Sequence, residues 1–370
     1  SADYTAVLAR AVQVNAGIWA NRLQMVTGTN DIATGSLGSD AAIQSAPLAG
    51  TGAAPAYAVD VSQLGGMYAG KITLVGTEAG LGVRNAGLVQ ASSGPLTLSS
   101  EGWLQNSGML QASGGDVKVQ TRGSIEQSGT VYSDRSVQLN SQAQQTHSGT
   151  TAALGNVSIQ ATGTNADGTA AHIQANTRAL WAAGLQADGT LTGQQNLTVQ
   201  ATGQVQTAGQ ALATGQLQLT TPQALVTDGA RIQGGTVGIS ANSLSNVAGQ
   251  ITQTGTADQT ISLQSSLNNT AGVIQSSANK LDISAQNIDN TAGQLLHAGA
   301  GSFSLSSQGQ LLNHTQSSTQ VPLADGARIV SNGALNMASA SLSNSGVLYA
   351  AGQQTLTASG GTAPYGTWTI

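Results

Sequence analysis

Apolar residues along the chain fall into a short recurring unit. Alternating pairs stand out first: Leu96/Leu98, Val117/Val119, Val137/Leu139, Val157/Ile159, Leu197/Val199, Leu217/Leu219, Val237/Ile239 and Leu281/Ile283. A period of two is that of a strand with one face buried. Each pair trails a Gly. Just after that Gly comes a second apolar run, such as Met109-Leu110 or Val273-Ile274. Shortly before it stands a lone apolar residue: Leu104, Ile125, Leu185, Val205, Leu225, Leu244, Leu267, Ile288 or Leu342. The pattern predicts three short strands per unit, separated by Gly, Asn, Asp and Ser, which accept turn conformations cheaply. No stretch carries an apolar helical stripe bounded by caps.

The marker Gly recurs at 66, 87, 108, 129, 149, 168, 189, 209, 229, 249, 272, 293, 326 and 346, in steps of 19 to 23 residues apart from one of 33. With an earlier copy at Asn15-Ala16-Gly17, this gives about fifteen units of roughly 20 residues. Strands this short cannot bury a face alone, so the units must stack, each pairing with the next in register: an all-β, parallel β-solenoid. Inward Leu, Val and Ile form continuous rows, with Phe303 among them. Asn85, Asn106, Asn269, Asn290 and Asn344 recur at one position. Turn preference and a stacked amide row are both open readings of these.

Three stretches break the repeat. Residues 28–63, Gly-, Ala-, Ser- and Pro-rich, read as a loop insertion between the first and second coils. Residues 161–190 blur the register and contain Asp167, His172, Arg178, Trp181 and Asp188. Residues 311–325 add His314, Pro322 and Asp325. Loops on a rigid scaffold are where binding residues concentrate. Trp181, with Arg178 nearby, is therefore the candidate binding surface, for a sugar or a protein; Trp103, beside Leu104, reads as packing over a coil edge.

Composition narrows the function. Charged residues are 7% of the chain, against about 25% in soluble domains. The net charge of −5 offers no basic face, which argues against nucleic acid as a partner. No apolar run reaches the roughly 18 residues of a membrane span, and no signal peptide opens the chain; membrane insertion is not expected. Ser1 in place of a start Met points to a mature product or an excised fragment. There is no Cys, which excludes thiol chemistry and disulfides.

Enzymes on parallel β-helices need clustered carboxylates. Here 16 acids are scattered over 370 residues. The recurrent Asp-Gly steps at 167, 188, 228 and 325 fit turns whose Asp satisfies its own backbone. Asp188 and Asp228, in near-identical register two coils apart, are too widely spaced for a catalytic pair. His147, His172, His297 and His314 lack ligand spacing and read as surface or turn residues. No cofactor and no metal are expected, and the chain does not read as an enzyme.

A family resemblance adds to this. Tyr4-Thr5-Ala6-Val7-Leu8-Ala9-Arg10-Ala11, followed by Val14-Asn15-Ala16-Gly17-Ile18-Trp19-Ala20, resembles the end of the secretion domain of filamentous haemagglutinins. Leu64-Gly65-Gly66-Met67-Tyr68-Ala69-Gly70-Lys71-Ile72-Thr73-Leu74 and Val83-Arg84-Asn85-Ala86-Gly87 resemble the passage into their haemagglutinin repeats, a signature shared with contact-dependent growth inhibition exoproteins. The resemblance implies a right-handed parallel β-helix, with the end of a two-partner secretion domain at 1–63, a repeat shaft at 64–361 and the start of a continuing chain at 362–370. It implies export by a Gram-negative bacterium through an outer-membrane two-partner secretion transporter. It also implies a place on the cell surface or outside the cell, with contact to a host or target cell made through the parent protein. The family's Asn-Pro-Asn, Arg-Gly-Asp and Val-Glu-Asn-Asn motifs are absent; the expectation is a shaft segment without a toxin and without the start of its secretion signal. The alternative is that the segment itself is adhesive and binds a glycan or a surface receptor.

Overall fold

The computed structural model describes residues 2–315 and 326–358. His314 and Thr315 fall within that range; Pro322, Asp325, Trp368 and the stretch 362–370 lie outside the described residues. The chain divides into two units, residues 1–174 with 179–195, and residues 175–178 with 196–370. Each is a parallel β-solenoid of three strands per coil, and the described residues contain no α-helix.

In the first unit, face A carries the alternating pairs. Leu23, Ile72, Leu96, Val117, Val137 and Val157 stand opposite one another in successive coils. All are 1% exposed or less, and full burial of such a side chain contributes about 1.5–3 kcal/mol. Face B follows a turn, with Val83, Leu104, Ile125 and Gln145 in one inward row and Asn85, Asn106, Gln127 and His147 in the next. Face C closes the coil with Ile18, Met67, Val89, Leu110, Val131, Thr151 and Trp181 in one row. The first coil is preceded by Thr5–Ala9, which pairs with Leu23–Thr27.

The Gly column at the corner before face C explains the period. A Cβ on Gly87, Gly108, Gly129 or Gly149 would lie 2.0–2.1 Å from the carbonyl oxygen of the corresponding Gly one coil earlier. Only hydrogen fits there.

The second unit repeats the design. Val199, Leu219, Ile239, Ile261, Ile283, Leu305 and Met337 line face A, and Phe303 is the fully buried core residue expected. Of the two readings of the recurrent Asn, the amide row is the one observed. Asn246, Asn269, Asn290 and Asn313 each donate from Nδ2 to Oδ1 of the next Asn at 2.7–2.8 Å, ending on Asn344. All five are buried. The first unit has a shorter row, Asn85 to Asn106 to Gln127, at 2.8 and 2.7 Å.

Two boundaries differ from the sequence expectation. The insertion after the first coil ends before residue 63, because Val59–Val61 is already a coil strand paired with Val12–Val14. It holds an antiparallel pair, Asn30–Ile32 with Ser45–Pro47. In 161–190, Gly168 and Gly189 are not corner glycines. They sit at φ +81° and +84° on the tips of two antiparallel hairpins, bridged at Thr164–Ala170 and Leu185–Leu191. Leu185 is therefore a hairpin residue and not a member of the inward row.

Candidate functional site

The outer surface of the first unit concentrates the charged and aromatic residues. The insertion is fastened to the coils by side chains whose alternation points them outward. Gln24, between inward Leu23 and Met25, donates to the carbonyls of Ser39 and Ala41 at 3.3 and 2.9 Å and accepts from the Ile43 amide at 2.9 Å. Arg22 contacts Asp40 and the Gly38 carbonyl. Arg10 makes two bonds to the Glu78 carboxylate at 3.0 and 2.8 Å and reaches the carbonyls of Thr51 and Ala53. Hydrogen bonding from Arg10 holds the Glu78 pKa below its ordinary value, and the same bond raises that of Arg10.

Two aromatic clusters lie beside it. On face C, Trp19 stacks on Tyr68 in the next coil, with centroids 4.2 Å apart and planes 14° apart. Trp19 is 62% exposed and Leu64, at a nearby corner, 90%. On face B, Arg84 forms a bidentate pair with Asp60, both bonds 2.8 Å, and lies 4.3 Å over the Tyr57 ring. Tyr57 meets Trp103 edge-on at 5.9 Å. Trp103 lines a groove of about 570 Å³, flanked by Glu101 and Arg122 and walled by the hairpin that carries Asn165 and Asp167.

Trp181 does not form an exposed surface. It is fully buried, facing Thr151 across the coil pairing and meeting His147 edge-on at 5.4 Å. The reason is register: Leu180-Trp181-Ala182-Ala183 pairs with Thr150-Thr151-Ala152-Ala153, which puts Trp181 on the inward parity. Arg178 is exposed in a turn where its amide is bound by Asn176.

The histidines also depart from expectation. His147 and His297 are core residues, 2% exposed. Burial pushes His147 down from 6.5 to about 3, keeping it neutral. His297 bridges Ser331 Oγ and the Ala278 carbonyl at 2.9 and 2.8 Å. Two of the Asp-Gly steps behave as expected: Asp167 and Asp188 each accept from the hydroxyl and amide of the Thr two residues on, which lowers their pKa. Asp228 accepts from Ser245 Oγ and the Val247 amide. Among the described residues, no three His, Cys, Asp or Glu gather as metal ligands, and no helix is long and apolar enough to cross a membrane.

Sequence reading missed the Trp103 groove, because it is built from four successive coils and a hairpin. The available signal was the small column Gly102, Gly123 and Ala143 beside Trp103.

The insertion and both aromatic clusters lie in the part of the chain that known proteins share, while the groove beside Trp103 extends past it. Residues 1–106 match the TPS secretion domain family. Over these residues the chain is similar to two-partner secretion exoproteins. Over 107 residues the chain is 50% identical to "Toxin CdiA" of Yersinia pestis, over 102 residues 46% identical to "tRNA nuclease CdiA-2" of Burkholderia pseudomallei (strain 1026b), and over 100 residues 40% identical to "16S rRNA endonuclease CdiA" of Enterobacter cloacae. These stretches are 28%, 28% and 27% of this chain and 3% of each relative. The chain thus matches only a small fraction of the curated relatives' length, and the part shared is the secretion domain. No solved structure matches it. The CdiA-like TPS region and the coils beyond residue 106 have the same three-faced architecture within the first unit.

Proposed function

We propose that the chain is the export region and the first part of the β-helical shaft of a large secreted surface exoprotein, without catalytic activity of its own. An outer-membrane two-partner secretion transporter is its export partner. The shaft, whose coils continue beyond the matched region, holds distal receptor-binding or toxin regions of the parent away from the cell, in support of adhesion or contact-dependent inhibition of a target cell. The observation that carries this reading is the absence of a break at the edge of the matched region. Asn106, its last residue, donates to Gln127 one coil on, in the same row that Asn85 begins. Coils of the export region therefore serve directly as the template on which the repeat coils stack.

The test is a secretion assay on the parent protein in its native host. Removing residues 1–106 is expected to abolish extracellular protein while the cell-associated pool persists. Removing two whole coils, residues 117–156, is expected to leave export intact. Wild-type export of the first variant would overturn the proposal.

A further inference from the structure

We infer that the groove beside Trp103 is a binding site for a neutral, hydroxyl-rich oligosaccharide. The inference is independent of the export reading and concerns only the first unit.

The groove arises from one large residue in a column of small ones. Backbone pairing places Gly82, Trp103, Ser124 and Gln144 at the same corner of four successive coils. The indole leans back onto Gly82, where a Cβ would come within 2.1 Å of the ring. Tyr57 supports its edge. Toward the following coil the groove is lined by the small residues Gly123 and Ser124. Four coils at about 4.8 Å each make a trough roughly 14 Å long from first to last, room for a short chain of sugar rings and not a single ring.

The polar groups around that apolar floor are mixed in kind. Glu101 and Arg122 form an ion pair at 3.2 Å whose side chains remain 46% and 67% exposed, leaving acceptor and donor capacity to solvent. The far wall is held in place: Asn165 Oδ1 accepts from the Gln144 amide at 2.9 Å, and its Nδ2 donates to Thr169 Oγ1 at 3.0 Å. Asp167, at the hairpin tip, adds a second carboxylate.

Three classes of ligand can be compared. Two carboxylates against one guanidinium disfavour a polyanion. A peptide that binds by strand addition needs a free sheet edge. The strands under this groove, Leu104–Asn106 and Ile125–Gln127, are paired on both sides and offer none. A saccharide hydroxyl both donates and accepts, which suits a mixed set of carboxylate, guanidinium and amide, and the C–H face of a sugar ring suits the broad apolar face of an indole. A few convergent polar groups around an apolar surface are the usual composition of a small-ligand site.

The test uses the whole 370-residue chain. It is titrated calorimetrically with neutral tetrasaccharides of glucose, mannose, xylose and N-acetylglucosamine, with heparin fragments and a pooled random peptide library as the other arms. Saturable binding to at least one neutral probe is expected, with a Kd between about 10 μM and 1 mM. Trp103→Ala should weaken it at least ~10-fold. Because that ring also packs, Arg122→Ala, whose side chain is largely in solvent, provides a variant that keeps its circular dichroism; it should weaken binding several-fold. Absence of binding to every neutral probe, binding indifferent to Arg122→Ala, or preference for heparin or peptide would each overturn the assignment.

Discussion

The two units build the same coil and hold it by different means. All five ion pairs found among the described residues lie in the first unit, from Arg10–Glu78 to Arg122–Glu101. The second has none among its described residues and relies instead on a buried amide row through five coils. Inside, the first unit breaks its own rows. His147 follows Gln127 where an Asn would continue, and Trp181 follows Thr151 where an aliphatic would. His147 Nδ1, Thr151 Oγ1 and Trp181 Nε1 are buried without a hydrogen bond, and such a group costs about 1–3 kcal/mol. In the second unit every row amide has a partner, and Nδ2 of Asn269 and Asn290 also reaches backbone carbonyls within 3.2 Å. The lesson is that the first unit pairs its irregular rows with clamps on the outside, while the second, which also buries Gln259 Oε1 and Ser339 Oγ without a partner, is held by its amide row without such clamps.

Acid should separate the two most strongly. His147 is neutral when folded, with a pKa of about 3, and takes a proton near 6.5 when unfolded. Its contribution is therefore complete above pH 6.5 and is lost as pH falls toward 3. Each pH unit in that window removes about 1.4 kcal/mol, on the order of 5 kcal/mol in all. Urea midpoints followed by indole fluorescence in a Trp368→Phe background read the first unit, which contains Trp19, Trp103 and Trp181. His147→Gln should remove most of this slope; an unchanged slope would assign it elsewhere.

Next in size is the amide row. Asn290→Leu leaves Asn269 Nδ2 without its side-chain acceptor and Asn313 Oδ1 without its donor, and should cost roughly 2–3 kcal/mol. Hydrogen exchange by mass spectrometry should show lost protection in the second unit alone. A loss under about 0.5 kcal/mol, the level of an ordinary surface change, would mean that the row does not hold the unit.

The smallest effect concerns strain. Ala248, Ala271 and Ala292 follow the row Asn by two residues and have φ of 51–53°. A left-handed Ala costs about 1–2 kcal/mol, and Gly carries about 0.5–1 kcal/mol more backbone entropy to fix. Ala271→Gly should therefore stabilise by about 0.5 kcal/mol, visible as a higher urea midpoint with an unchanged slope. A decrease would show that the turn is not strained.

Much of the fold was legible, because two periods were superimposed on one chain. The period of two set the strands, and the Gly column, fixed by a carbonyl within 2.0–2.1 Å of any Cβ, set the coil. Legibility failed where a local motif imitated the marker. Asn165-Ala166-Asp167-Gly168-Thr169 and Gln186-Ala187-Asp188-Gly189-Thr190 form matching hairpins, but their Gly residues fall close to the coil spacing. The false marker displaced Trp181 from the inward parity to an assumed loop. Aligning Trp181-Ala182-Ala183 with Thr151-Ala152-Ala153 would have placed it correctly. The groove at Trp103 was missed for another reason: its members are distant in sequence, and the small column Gly102, Gly123 and Ala143 gains meaning only once stacking aligns them.

The Gly column has one further effect. Each of its glycines is confined by the coil before it, so the contact is restored after any insertion or removal of complete coils and violated by a change of a few residues within one. Within the stacked faces such a chain can be lengthened or shortened in whole coils of about 20 residues, as a ladder is altered rung by rung, while extra residues go into loops outside the column, as in the insertion after the first coil and the two hairpins. Its reach becomes a counted quantity that duplication or deletion of DNA can adjust without redesigning a single contact.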